Sequence, residues 1–204
     1  MTSDPEHKAQ SLPIPVTSRD GLRRACLARR EALAGTRRAV LEAAITQHLQ
    51  QVFAEHPPGV LAFCWPIRGE FDARPLMQAL RAGGWQTCLP WVETLHAPMR
   101  FRAWSPGVEM MADRHGIPYP AGGPCLVPDV ILLPLVAFDP DNYRLGYGGG
   151  YFDRTLVALD PPPLTVGAGF ELSRVATIGP KSHDIPLDLI VTEQGIFPPR
   201  HSFP

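Results

Sequence analysis

The residues best placed to do chemistry lie in one stretch, Arg144-Leu145-Gly146-Tyr147-Gly148-Gly149-Gly150-Tyr151-Phe152-Asp153-Arg154. Four glycines fall within five residues. Glycine loses the most backbone entropy on folding, so such a cluster implies positive φ angles or a close backbone approach to a ligand. An apolar run from Val130 to Phe138 precedes it, and a helix from Tyr151 to Leu159 can follow. A buried strand, a glycine turn and a helix start aim free N–H groups and a helix dipole at one point, which suits an anion. Arg144 and Arg154 bracket that point with positive charge. The stretch therefore reads as a phosphate cradle, with a tight turn of packing glycines as the plainer alternative. It is not a P-loop, because Tyr151-Phe152 stands where Lys-Ser/Thr is needed, and not a dinucleotide turn, because the sixth position is Tyr151 rather than glycine.

Three carboxylates could join this site. Asp153 lies in the first turn of the following helix. Asp184 lies in Lys181-Ser182-His183-Asp184-Ile185-Pro186, ahead of the last expected strand. Loops that precede parallel strands normally lie at the edge opposite the strands' carboxyl ends. Asp184 thus either reaches the turn or is a turn or cap residue. Two carboxylates with phosphate oxygens would suit Mg²⁺, which takes few protein ligands and keeps several waters. Glu70 follows a strand's carboxyl end, where it can accept from an NH-rich heterocycle or cap a helix. Trp65, Trp91 and Trp104 offer stacking surface or core packing.

Arg19, Arg23 and Arg30, at i, i+4 and i+11, lie along one helix face. Between Arg19 and Arg38 there are seven arginines and two acids. A solvated basic face is the plain reading; the sharper one has one or two arginines reaching an anion bound elsewhere. The seven histidines show no metal spacing and no nucleophile partner. No side chain is assigned a nucleophilic or acid–base role.

The elements that must position these residues follow from periodicity and breakers. A helix capped by Thr17 or Ser18 runs to about Leu33, with Leu22, Cys26 and Leu33 as its stripe. A second, capped by Thr36, spans about Arg37 to Glu55 and buries Leu41, Ile45, Leu49 and Val52. Val60 to Trp65 reads as a buried strand, Phe71 to Ala82 as a helix stopped by Gly83-Gly84, and Trp85 to Leu89 as a strand closed by Pro90. Met99 to Trp104 alternates like an edge strand. Val108 to Arg114 is expected as a short helix within a loop-rich region. Val130–Leu133, Leu164–Ala168 and Leu189–Val191 complete the strands, the last being the final one. Strand, helix and strand in order predict parallel pairing. The expected fold class is α/β, a three-layer sandwich around a mostly parallel, Rossmann-like sheet with N-terminal helices. Residues 1–16 are expected as a disordered lead-in, 17–197 as one catalytic domain and 198–204 as a tail.

A chain of 204 residues with 45% hydrophobic content can bury a real core. Its net charge of −1 argues against a dedicated nucleic-acid or membrane-surface protein. No apolar run reaches membrane-span length, and Met1 to Val16 shows no secretory h-region. Cys26, Cys64, Cys88 and Cys125 form no CxxC pair and no disulfide framework. A reduced, cytoplasmic protein acting as a monomer is expected.

Arg144 to Arg154 resembles the signature of the 5-formyltetrahydrofolate cyclo-ligases, or methenyltetrahydrofolate synthetases. The similarity extends from Arg19 to Ile196 through Arg19-x-x-x-Arg23, Gly69-Glu70-Phe71-Asp72, Leu89-Pro90, Pro134 to Asp139 and His183-Asp184-x-Pro186. The resemblance implies ATP-dependent cyclisation of 5-formyltetrahydrofolate to 5,10-methenyltetrahydrofolate, with ADP and phosphate released. It implies that Arg19 and Arg23 contact ATP phosphates and that Arg144 through Phe152 wrap the nucleotide. Tyr147, Gly148, Gly149, Gly150 and Tyr151 would also border the folate, Trp65 and Glu70 would line its site with Glu70 reading the pterin, and Asp153 and Asp184 would bind Mg²⁺. Tyr147 and Gly149 stand where some members carry basic residues, which asks Arg154 or an N-terminal arginine to supply that charge. Phe152 stands where the signature often has Tyr, and Tyr119 where a polar residue is common. A divergent homologue with another substrate, or a binding protein that kept the fold, are the competing readings.

Overall fold

The computed structural model describes residues 18–199. The lead-in and the tail from residue 200 lie outside the described residues. Helix α1 (Arg19–Glu31) is capped by Ser18, whose Oγ accepts from the Gly21 N–H at 3.2 Å. Helix α2 (Gly35–Ala54) starts earlier than expected; Thr36 lies inside it, and Ala34 precedes it without a side-chain cap. Strand β1 (Val60–Ala62) stops before Trp65, and helix α3 (Arg74–Ala82) starts after Phe71. Strand β2 (Gln86–Trp91) runs through Pro90, whose missing N–H does not prevent pairing with its antiparallel neighbour β3 (Arg100–Trp104).

The short helix expected at Val108–Arg114 is instead a hairpin of β4 (Met110–Ala112) and β5 (Pro118–Pro120). Asp113 explains it: its Oδ1 accepts from the N–H groups of His115 and Ile117, and Gly116 takes φ 76°. That turn chemistry overrides the helix formers before it. After β6 (Cys125–Leu126) comes β7 (Val130–Pro134), and then a small hairpin, β8 (Ala137–Phe138) and β9 (Arg144–Leu145), that carries the chain into the glycine turn. Helix α4 (Tyr151–Ala158) and β10 (Leu164–Ala168) follow as expected. Strand β11 (Leu189–Thr192) is not the last: β12 (Gly195–Phe197) pairs with it antiparallel.

The main sheet has the order β12-β11-β10-β7-β1-β2-β3-β6. Its five central strands are parallel and its edges antiparallel. Side chains alternate across β7. Val130 and Leu132 join α2 and α3 in one core, which holds Ile45, Leu49, Phe53, Leu76 and Met77. Ile131 and Leu133 join Leu156 of α4 on the other face. The three layers are therefore α2 with α3, the sheet, and α4, which is the expected α/β sandwich. Helix α1 packs elsewhere, its Leu22, Cys26 and Leu27 against Val136, Ala137 and Leu145 around the β8–β9 hairpin. Leu49 is fully buried in the first core. Leu49→Ala should cost about 2–5 kcal/mol in urea unfolding while leaving the glycine turn intact.

Candidate functional site

The glycine turn joins β9 to α4, beyond the carboxyl end of β7. Gly148 and Gly150 have φ of 99° and 63°, so both need glycine for conformation. Gly149 needs it for space, since a Cβ there would lie 2.8 Å from the Tyr151 ring. A Cβ on Gly146 would meet nothing within 4 Å, so the protein's own packing gives no reason for glycine there.

The expected charges surround the turn. Arg23 Nε donates to the Gly146 carbonyl at 2.8 Å, and its guanidinium would face a Cβ on Gly148 at 3.6 Å. Arg154 Nη2 donates to the Gly149 carbonyl at 2.7 Å, and its buried Nε has no partner. Arg23 and Arg154 thus bring to the turn the charge that Tyr147 and Gly149 lack. The face holding Arg19, Arg23 and Arg30 is not a solvated one; all three turn inward to the site.

Asp184 reaches this site. The link from β10 to β11 contains no α-helix, only a 3-10 turn at Glu171–Ser173, so it does not return directly to the far edge. It runs over α1 and the β8–β9 hairpin instead. Arg19 holds Asp184 with two bonds, of 2.5 and 3.1 Å, and the Lys181 N–H adds a third at 2.6 Å. Burial alone would raise the Asp184 carboxyl, but Arg19 and the Lys181 N–H outweigh it and hold it below the ordinary aspartate value. Arg144, 7% exposed, pairs with Asp153 at 3.2 Å and donates to the Ile185 carbonyl. Burial lowers the pKa of Arg144, while Asp153 and Asp184 work against that. Among the described residues, no three His, Cys, Asp or Glu side chains gather as a metal cluster.

Glu70 forms a second centre on the other side of the turn. It is 6% exposed and lines a cavity of about 20 Å³ with Cys64, Phe71, Leu132 and Pro134, room for about one water. Its Oε2 accepts from the Ile67 N–H at 3.0 Å and its Oε1 from the Tyr147 hydroxyl at 2.6 Å. Trp65 does not line that cavity; the Arg74 guanidinium lies 4.6 Å above its ring. Trp104 packs edge-on against Phe63, and Trp91 stacks on Tyr119. Phe152 sits under the Arg144 guanidinium at 5.7 Å, and Leu145 is buried against α1.

One polypeptide segment therefore touches both an arginine–aspartate centre and a buried glutamate. A family model described as the 5-formyltetrahydrofolate cyclo-ligase family matches residues 15–193. The chain belongs to this family. The 5-formyltetrahydrofolate cyclo-ligase of Escherichia coli K12 is 31% identical over 153 residues, 70% of this chain and 84% of that protein. That of Haemophilus influenzae is 29% identical over 159 residues, 74% and 84% of the two chains. The solved Aquifex aeolicus 5,10-methenyltetrahydrofolate synthetase superposes with a TM-score of 0.76 at 29% identity, covering 91% of this chain and 95% of that one.

Within this candidate site, sequence reasoning assigned no role to Arg30. It is 2% exposed and touches both Tyr147 and the Glu70 region. The i, i+4, i+11 spacing with Arg19 and Arg23 was the available signal. Because the Asp184 pKa is lowered on folding, its contribution is present above the unfolded aspartate value, about 3.9, and is lost as pH falls through the folded one. Acid unfolding followed by circular dichroism should therefore show a shallower loss of stability in Asp184→Asn than in wild type. A double-mutant cycle with Arg19→Ala at pH 7 should return a coupling of about 1 kcal/mol for this part-exposed pair.

Proposed function

We propose that the protein closes 5-formyltetrahydrofolate to 5,10-methenyltetrahydrofolate, with ATP converted to ADP and phosphate. The observation that carries this reading is the glycine turn standing as a shared wall. Arg23 bonds its Gly146 carbonyl, the Arg144–Asp153 pair spans it, Arg19–Asp184 adds a second charged pair, and its Tyr147 hydroxyl reaches Glu70. A polyphosphate and a heterocycle with N–H donors are the ligands those two centres suit.

Arg19 and Arg23 would bind the ATP phosphates, giving up part of their present contacts to Asp184 and to the Gly146 carbonyl. The segment from Arg144 to Phe152 would wrap the nucleotide, with the open position at Gly146 allowing the closest backbone approach. Gly148, Gly149, Gly150 and Tyr151 would border the folate as well. The Glu70 carboxylate would accept from the pterin's N–H groups, and Trp65 would line the folate site. Asp153 and Asp184 would hold Mg²⁺; two carboxylates with phosphate oxygens are a donor set this hard cation accepts, in exchange for the arginines now on them. When bound, Mg²⁺ would neutralise charge on the phosphate oxygens.

The chemistry needs little covalent help from the protein. The formyl oxygen attacks the γ-phosphorus of ATP and ADP departs, which turns a poor leaving group into phosphate. The substrate nitrogen N10 then attacks the formyl carbon, its proton passes to the phosphate group or to solvent, and phosphate leaves with the former formyl oxygen. Arg19, Arg23 and Arg154 hold charge and geometry through these steps. No helix among the described residues is long and apolar enough to cross a membrane, and the free thiols of Cys26, Cys64, Cys88 and Cys125 suit a reduced cytoplasmic setting.

Magnesium, ATP and 5-formyltetrahydrofolate together should yield the methenyl product's near-ultraviolet absorbance; folded protein without turnover refutes the reading. Arg23→Ala should raise the KM for ATP by about tenfold or more, the value of a charged hydrogen bond, with the folate KM changed far less. Asp153→Asn should lose most of kcat while keeping the wild-type circular dichroism, and a near wild-type rate would remove the metal role.

A further inference from the structure

Arg30 enters from α1 on the same face as Arg19 and Arg23 but goes to the other side of the glycine turn. Each nitrogen of its guanidinium makes a hydrogen bond. Nε donates to the Arg68 carbonyl at 3.0 Å, Nη1 to the Leu135 carbonyl at 2.8 Å, and Nη2 to the Tyr147 hydroxyl at 2.7 Å. The Tyr147 hydroxyl lies 2.6 Å from Glu70 Oε1, and Arg30 itself is 3.9 Å from the same oxygen. Arginine has no acceptor. The phenolic oxygen must therefore accept from Arg30, and its single proton must point at Glu70. Burial, joined by Glu70, pushes the phenol further above its ordinary value, so Tyr147 keeps that proton.

We propose that Arg30 and the Tyr147 hydroxyl form a positioning relay that keeps the buried Glu70 carboxylate an aimed hydrogen-bond acceptor for the pterin. Arg30 is held at two other points by backbone carbonyls, so the relay has a fixed end. Tyr147 is 42% exposed as a residue, yet its hydroxyl is inside. Its position in the turn lets it leave when a ligand brings its own N–H donors to Glu70. In the free protein the phenol then stands in for the substrate's N–H and keeps a buried carboxylate from being left with a single hydrogen bond.

The groups facing Glu70 come from several elements. Arg30 comes from α1, Tyr147 from the glycine turn and the Ile67 N–H from Glu70's own loop. Arg38 of α2 donates to the Glu70 main-chain carbonyl at 2.5 Å. Cys64, beyond the end of β1, lines the same cavity, and burial holds it as a neutral thiol. Burial raises the Glu70 pKa, and Tyr147, Ile67 and Arg30 pull it back down. Removing the hydroxyl removes the first of those three restraints.

The relay rests on the reading of Glu70 as the pterin acceptor, and the test separates the two. Carbon-13 NMR of protein labelled at the glutamate carboxyls, with the Glu70 signal assigned by its loss in Glu70→Gln, reads the Glu70 titration directly in the ligand-free protein. In Tyr147→Phe the Glu70 midpoint should rise by about one pH unit, the worth of one hydrogen bond. Calorimetric affinity for 5-formyltetrahydrofolate should begin its fall toward acid at a correspondingly higher pH. Arg30→Met should move both further, and Tyr147→Phe keeps the test decisive if Arg30→Met fails to fold for want of its backbone bonds. A Glu70 midpoint that stays at the wild-type value overturns the relay. A midpoint that rises while the pH dependence of folate affinity stands still upholds the relay and overturns the placement of the pterin on Glu70.

Discussion

The buried guanidinium of Arg144 is the constraint on which the site depends. A charge taken out of water is tolerated only if paired and hydrogen-bonded. Arg144 sits on β9, a strand of two residues, with almost no surface of its own. Its partners come from two other places in the chain: Asp153 on α4 and the Ile185 carbonyl in the β10–β11 link. Satisfying this one side chain therefore fixes where α4 begins and draws the link across the hairpin. Asp184, one residue before Ile185, is delivered to Arg19 by the same requirement. The Ile185 N–H even reaches back to Asp153 at 3.4 Å.

The sheet topology makes that delivery possible. In a simple parallel unit a helix would carry the chain from β10 back to the start of β11. Here the connection packs on the open side of α1, with Ile178 joining Leu22, Cys26 and Leu27. Helix α1 is thus not a flanking layer of the sandwich. It is a clamp between the hairpin and the link, and its arginines point three ways from one face: Arg19 to Asp184, Arg23 to the glycine turn, Arg30 to the Glu70 side. The spacing that looked like a solvated basic stripe is a set of fixed positions along one rod.

Much of this was legible in the residues, and the failures have definite causes. Apolar runs such as Val130–Leu133 and Leu164–Ala168 announced the central strands because parallel strands are buried on both faces. The β4–β5 hairpin is not legible from periodicity, because three-residue strands carry none; the Asp113-x-x-Gly116 turn decides the matter. Strand β12 was missed because three residues carry no periodicity of their own; a turn with Thr192 Oγ1 accepting from Gln194 creates it. The reach of Asp184 could not be settled from order alone, since topology argued against it and only the helix-free link reverses that. Arg30 was placed on the right face, but one-dimensional spacing does not tell a solvent partner from a buried phenol.

The glycine turn itself carries two different physical demands. Gly148 and Gly150 answer to backbone conformation and Gly149 to the Tyr151 ring, so these three are explained by the protein alone. Gly146 is not, and it lies between Arg144, the buried anchor, and Tyr147, the residue that reaches Glu70. The turn is therefore pinned at both ends by charge, at Arg144–Asp153 and at Arg154 against the Gly149 carbonyl, while its middle is attached through the Tyr147 hydroxyl and Arg23. On the proposed reading, both middle attachments are hydrogen bonds that a ligand would replace in kind, a phosphate for one and a ring N–H for the other. The turn would then yield to both ligands without losing its anchors. On the proposed reading, the arginines around the turn supply its charge, and Tyr147 contributes a phenol that occupies Glu70 in the free protein.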